Sequence, residues 1–328
     1  MNILRMGLFL IIVLTSCTRN KKNIPTIAIT QIVEHTSLDQ ERDGLLNTLK
    51  QAGYIQGETL NVIYQNAQGN SLLSTQIAQK FMGSSPDIII AISTPSAQSV
   101  LSARGQSKIP IIFMAVTDPI NSRLVKSLDF PGNNITGVCD YLNPIYQYQF
   151  ILSLIPNLKN LGILYNPGES NSAIMYSELK KAANILKINL KVASVTQTSE
   201  VTQATLNLVD NVDAIYIPND NTVVSGIQII VNIGIKKKLP IFAGDIGSVY
   251  KGAAGAVAYD RFNLGTTAAN MILEILKGKK VGEIPIKRNH SFHIMMNYNS
   301  AKAMGLRISK ENTKNVTWIN EALSGELK

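Results

Sequence analysis

Residues 161–172 read L-G-I-L-Y-N-P-G-E-S-N-S, and this order of residue types sets the plan of the chain. Ile163 to Tyr165 is a short apolar run of the kind that forms a buried strand. Asn166-Pro167-Gly168 is a turn signal. Asn171 and Ser172 then stand before a helical pattern, with apolar residues at Met175, Leu179, Ala182, Ala183 and Leu186. Asn and Ser side chains accept the unpaired N–H groups of a first helical turn, so both read as N-cap residues. Strand, loop and helix N-terminus in that order expose backbone donors and the positive end of the helix dipole, which favours an anionic group.

The same order recurs upstream. Residues 87–92, D-I-I-I-A-I, are a continuous apolar run typical of parallel sheet covered on both faces. Ser93-Thr94-Pro95 is a turn, and a helix is expected from Ser96. Working outward, strands are expected at 26–30, 60–64, 111–116 and 134–138, and again at 161–165, 190–195, 213–217, 241–243 and 255–259. Between them, Ser37 with Gln40 has the form of a capping box, followed by Leu45, Leu46 and Leu49 and a stop at Gly53. Further helices are expected at 73–81, 146–154, from Ser199, at 227–235 and at 264–276. This alternation, run through twice, predicts an α/β fold of two doubly wound parallel-sheet lobes.

In open parallel sheets ligands sit beyond the carboxyl ends of the strands. Here those ends carry Gln31, Ser93, Thr94, Asp118, Asn166, Asn219, Asp220, Asn221 and Asp245, and the helix start adds Asn171 and Ser172. The two sets are expected to face each other across one cleft that binds a small molecule and does no chemistry on it.

The chain has 328 residues, of which 45% are hydrophobic and 16% charged, enough for two lobes with cores of ordinary size. The net charge is +9. Its densest basic run, Lys236-Lys237-Lys238, sits at a helix end, where cations complement the dipole, and no basic cluster carries interleaved aromatics, so a nucleic-acid partner is not expected. At the N-terminus, Arg5 is followed by an apolar run at 6–14, too short to span a membrane, and then by Leu14-Thr15-Ser16-Cys17. This resembles a bacterial lipoprotein signal, which implies cleavage before Cys17, acylation of its thiol and a polar tether at 17–25 carrying Lys21 and Lys22. Cys139 is then left without a partner, and no paired-cysteine metal pattern exists.

Motifs for catalysis are missing: no G-x-S-x-G, no P-loop and no H-E-x-x-H. His290 and His293 are three apart on an expected strand at 291–295, where such residues face opposite ways. No catalytic residue, metal or cofactor is therefore expected. A DNA-binding regulator would need a helix-turn-helix before Ile24, where the leader stands, and a membrane sensor would need a spanning helix or output domain.

Several stretches together resemble a known family. They are Q-I-V-E-H at 31–35, Y-Q-N-A-Q-G at 64–69, S-T-P-S-A-Q at 93–98, A-V-T-D-P at 115–119, N-P-G-E-S-N-S at 166–172, D-N-T-V-V-S at 220–225 and F-A-G-D at 242–245. In order and spacing they are similar to the substrate-binding lipoproteins of ABC transporters, of the tryptophan/tyrosine type, from about Ile27 to about Leu306. The resemblance implies a periplasmic-binding-protein fold of type I, with three interlobe crossovers. It implies an N-terminal lobe of 26–137 plus 260–287 and a C-terminal lobe of 138–259 plus 288–328, after a signal peptide at 1–16. It also implies a monomer that delivers an amino-acid-like ligand, an aromatic one favoured, to a permease and ATPase outside the cytoplasm. For an α-amino acid, Ser93, Thr94, Asn171 and Ser172 would meet the carboxylate. Asp118, Asp220 or Asp245 would meet the ammonium, and Tyr141, Tyr259 and Phe262 would be candidate walls.

Overall fold

The computed structural model describes residues 24–132, 134–289, 291–309, 313 and 315–319. Cys17 with the leader before it, Lys21, Lys22 and His290 lie outside them. In chain order the first half runs β1 (Thr26–Gln31), α1 (Thr36–Gln51), β2 (Asn61–Asn66), α2 (Ser71–Ser84), β3 (Ile88–Ile92), α3 (Thr94–Ala103), β4 (Ile111–Val116), β5 (Ile135–Cys139), α4 (Pro144–Leu154), β6 (Asn160–Tyr165) and α5 (Ser170–Leu186). It continues with β7 (Asn189–Ser194), α6 (Val201–Val209), β8 (Ala214–Ile217), α7 (Asn221–Ser225), α8 (Ile227–Lys237), β9 (Ile241–Ala243), α9 (Ile246–Tyr250), β10 (Gly255–Ala258), α10 (Arg261–Leu276), β11 (Lys287–Arg288), β12 (His293–Asn297), α11 (Tyr298–Ala303) and β13 (Val316–Ile319).

Two sheets result. The first has the order β11-β5-β4-β3-β1-β2 and is parallel throughout. The second has the order β13-β12-β10-β9-β8-β6-β7 and is parallel except where β10 meets β12. Its last strand, β13, lies in the tail beyond Leu306 and pairs with β12. Central strands such as β3 and β4 are buried along their whole length, as strands covered by helices on both faces must be. The chain passes between the sheets three times: after β5, after β10 and after β11. This is the two-lobed α/β architecture with three crossovers. Val138, Cys139 and Arg288 belong to strands of the first sheet, so that sheet reaches slightly beyond the boundaries expected at 137 and 287.

Helix starts are where the structure departs from expectation. Helix α3 begins at Thr94, with Ser93 as its cap in a positive-φ conformation (φ 88°) and Pro95 in its first turn. Helix α1 is capped by His35, whose ring accepts from Leu38 N, and no capping box forms at Ser37 because its hydroxyl is engaged elsewhere. Helix α5 takes Glu169 as its cap, so Asn171 and Ser172 lie within the first turn. Five-residue helices α7 and α9 escape periodicity because each is barely longer than one turn.

One packing contact positions the site. Helices α1 and α10 lie backbone against backbone, with glycines at both points of approach. A Cβ on Gly265 would stand 1.9 Å from the Glu41 carbonyl oxygen, and one on Gly44 2.1 Å from that of Phe262. Gly83, exposed near the end of α2, would meet nothing within 4 Å. Gly265→Ala is therefore expected to cost about 1–3 kcal/mol through overpacking. Gly83→Ala should gain up to about 1 kcal/mol from helix propensity. Urea unfolding of both variants checks this; equal midpoints would remove the close-approach argument.

Candidate functional site

The strand ends of the two sheets meet around a small cavity of about 20 Å³, enough for a single water. His35, Ser37, Ala115, Thr117 and Arg261 line it on one side and Asn171, Asn219, Asp220, Asn221 and Asp245 on the other, with Asp140 of the first crossover between them. Its centre is Arg261, the first residue of α10, 5% exposed. Arg261 Nη1 donates to Asp140 Oδ2 at 2.6 Å and lies 3.4 Å from Glu41 Oε2. With the Asn219 carboxamide turned so that its nitrogen donates to Gly244 O at 3.0 Å, its oxygen accepts from Arg261 Nη2 at 3.1 Å. The arginine is thus held by a helix of the first lobe, by a connecting segment and by a loop of the second lobe.

Glu41 is fully buried on α1 and uses its other oxygen to accept from Ala115 N at 3.0 Å. That N–H is available because Ala115 sits at a bulge in β4 with φ 50°, which turns it out of the ladder. Burial raises the Glu41 pKa to about 7, against the opposing pull of Arg261. Burial also works against the Arg261 charge, but Asp140, Glu41 and Asp245 outweigh it and raise its pKa. His35, lowered chiefly by desolvation, is a neutral imidazole whose Nδ1 accepts from Leu38 N.

The expected site residues separate into three groups. Asn171, Asp220, Asn221 and Asp245 come together around the cavity. Ser93 and Ser172 stand just behind them. Asn221 Nδ2 donates across the gap to Ser93 Oγ at 3.3 Å, and Ser172 hydrogen-bonds Asp220. Gln31, Thr94, Asp118 and Asn166 do not line the cavity. Gln31 is tied to Asp39 and Arg42 within its own lobe. Thr94 is buried at the start of α3. Asp118 accepts from Ile120 N, Asn121 N and Asn121 Nδ2, closing its own turn. Asn166 bonds Gly168 N and Thr222 Oγ1 and lines the outer groove.

The three aspartates offered for an ammonium are all engaged, each capping backbone N–H groups and each also accepting from a side chain. Asp220 caps α7 through Val223 N and also accepts from Asn166 N, and burial and the neighbouring Glu169 push its pKa up. Asp245 caps α9 through Ser248 N and accepts from Ser37 Oγ of the facing lobe. The carboxylate left with an unpartnered oxygen is Asp140, whose Oδ1 is buried without a hydrogen bond, as are Asn171 Oδ1 and Arg261 Nε. Tyr141 and Tyr259 line a different groove, Phe262 is exposed, and among the described residues no aromatic ring other than His35 borders the cavity.

The chain matches the family of ABC transporter substrate binding proteins over residues 26–317. It belongs to that family. A curated relative, the tyrosine-binding protein of Clostridioides difficile (strain R20291), is 35% identical over 98% of this chain and 96% of its own length. The crystal structure of an ABC domain in complex with L-Trp, from Streptococcus pneumoniae, superposes with a TM-score of 0.85 at 30% identity, covering 90% of this chain and 99% of that one. A ligand-free, open structure of a substrate binding protein with adhesive properties, from Clostridium difficile, has the same coverage and 33% identity but a TM-score of 0.68. At near-equal identity, this family member therefore superposes better on the liganded relative than on the open one. The lobes are joined by the Ser37–Asp245 and Asn221–Ser93 bonds and by Gln98 Nε2 donating to Ser170 Oγ at 3.0 Å.

Asp140, Arg261 and Glu41 lie outside the expected site residues but carry sequence signals of their own. Asp140 directly follows a strand, and Arg261 opens a helix just beyond one. Glu41 shares helical spacing with Leu38, Leu45 and Leu49, an acid on an apolar stripe. Because Glu41 is raised from 4.5 to about 7, the folded state holds a proton there that the unfolded state has released. Its contribution to stability is present below the unfolded value and is lost as pH rises through the folded one. Unfolding free energy should thus fall between about pH 5 and 7.5, and Glu41→Gln should show a shallower fall. Denaturation series at stepped pH measure both slopes; identical slopes would contradict the assignment.

Proposed function

We propose that the cavity captures the α-amino and carboxylate groups of an amino acid, with an aromatic amino acid favoured, and that the protein is the extracytoplasmic binding component of an ABC importer. The observation that carries the reading is the set of unsatisfied polar atoms on one small space. Two acceptors, Asp140 Oδ1 and Asn171 Oδ1, and a cationic donor, Arg261 Nε, are buried without partners on residues that all line this cavity. A zwitterion supplies the complement of both: ammonium hydrogens for the acceptors and carboxylate oxygens for the guanidinium. Buried polar atoms without partners are costly, so a ligand that satisfies them gains more than contact area.

Tyrosine and tryptophan enter through the relatives, one called a tyrosine-binding protein and one solved with L-Trp. An aromatic amino acid does not fit into about 20 Å³, so the lobes must part to admit it and close around it with a wider gap than they leave here. The ligand favours the closed state by its differential affinity for it, and the interlobe bonds through Ser37, Ser93 and Gln98 add to that closure. The lipoprotein reading completes the picture: Cys17 holds the chain to a membrane by its acyl group, and the lobes hand the ligand to a permease and ATPase. Among the described residues no helix is long and apolar enough to cross a membrane.

Calorimetric titration with L-tyrosine tests the assignment. Asp140→Asn is expected to weaken binding by tenfold or more, since a hydrogen bond to a charged group contributes about 1.5–3 kcal/mol. Asn171→Ala should weaken it severalfold. Asp118→Asn should stay within twofold, with circular dichroism confirming that each variant is folded. An Asp118 variant that loses binding while the Asp140 variant keeps it would reverse the assignment.

A further inference from the structure

We propose a second binding site on the flank of the hinge, a groove built for a flat aromatic carboxylate. The groove has a volume of about 580 Å³, within the range of small-molecule sites. It lies where the chain passes between the lobes. Tyr141 belongs to the first crossover, Tyr259 to the second and Phe292 to the third. Tyr146, at the start of α4, completes the set. Its ring centroid is 5.1 Å from that of Phe292 with a 36° tilt. Tyr141 is 37% exposed and Tyr146 47%, so both are accessible to an occupant of the groove they line. The inner cavity, by contrast, is bordered by no phenyl, phenol or indole ring among the described residues.

The charge of the groove selects the ligand. Arg288 lines the groove and makes no ion pair among the described residues. Its side chain hydrogen-bonds the Cys139 thiol, which burial pushes up to about 11, so the sulfur stays protonated and leaves the guanidinium charge uncompensated. The acids on the walls are engaged. Asp118 is taken by its own turn, and Glu178 by Lys181 Nζ at 2.6 Å and by the Tyr141 hydroxyl. What remains is a positive fork next to several rings. That combination fits an aromatic ring carrying a carboxylate, which the planar guanidinium meets through two parallel bonds.

An occupant would touch both lobes and all three crossovers, so its affinity would depend on the angle between the lobes. The groove shares only Thr117 with the inner cavity, and the proposal stands whatever that cavity binds.

The test uses the full chain and 2-naphthoate, followed by fluorescence polarisation, with no amino acid present. Binding is expected, with at least a tenfold loss in Tyr146→Ala and in Arg288→Met, both of which alter exposed side chains. The uncharged 2-naphthalenemethanol should bind at least tenfold more weakly than the acid. Photolabelling with 4-azidobenzoate and peptide mass mapping should place the label on residues 141–146 or 288–292. The proposal is overturned by unchanged affinity in both variants, by absence of binding, or by label on 35–41 or 219–221, which would put the probe in the inner cleft.

Discussion

A guanidinium buried to the depth of Arg261 can persist only if its charge and donors are met. Each partner comes from a different part of the chain: Glu41 from α1, Asp140 from the first crossover, Asn219 from the loop after β8. Satisfying them together requires that α1 and α10 touch, which the glycines at 44 and 265 permit. It requires that the bulge at Ala115 turn its N–H toward Glu41, and that the second lobe sit close enough for Asn219 to reach. Removing one partner from such a group leaves an uncompensated buried charge, and that costs far more than the intact pair contributes. The cavity is therefore built on the same contacts that join the lobes.

The acids around this centre do two different jobs with the same chemistry. Asp220 and Asp245 satisfy the first N–H groups of short helices, and so make the loops of the second lobe rigid enough to present Asn219, Asn221 and Asn171. Glu169 does the same from the neighbouring loop, accepting from Thr222 N and from Asn221 Nδ2. Asp140, outside any helix start, keeps an oxygen without a hydrogen-bond partner. Rigid caps around one unsatisfied carboxylate are a form of preorganisation: the loops are already ordered before a ligand arrives.

Most of the framework was legible because it rests on short-range rules. Continuous apolar runs such as I-I-I-A-I at 88–92 have few alternatives to a buried parallel strand, and Gly53, with φ 89°, marks the end of α1. Helix starts were less legible. Ser, Asn and Asp all accept the same N–H groups, and which of Glu169, Asn171 or Ser172 caps α5 depends on the path of the loop before it. Ser37 shows the limit plainly: its hydroxyl could have served a local capping box, but Asp245 stands across the gap and takes it.

The sequence alone determined the alternation of strands and helices, the division into two sheets and the polar character of the strand ends, because periodicity and turn chemistry act over a few residues. Only the tertiary structure decided which polar groups face the cavity. A carboxylate binds a ligand only if nothing nearer has claimed its oxygens, and that depends on neighbours such as Asn121 for Asp118 or Arg261 for Asp140. The aromatic rings followed the same rule. Tyr141 and Tyr259 fitted the composition of a ligand pocket, but the crossovers carried them to the flank of the hinge, a placement set by the path of the chain between two lobes.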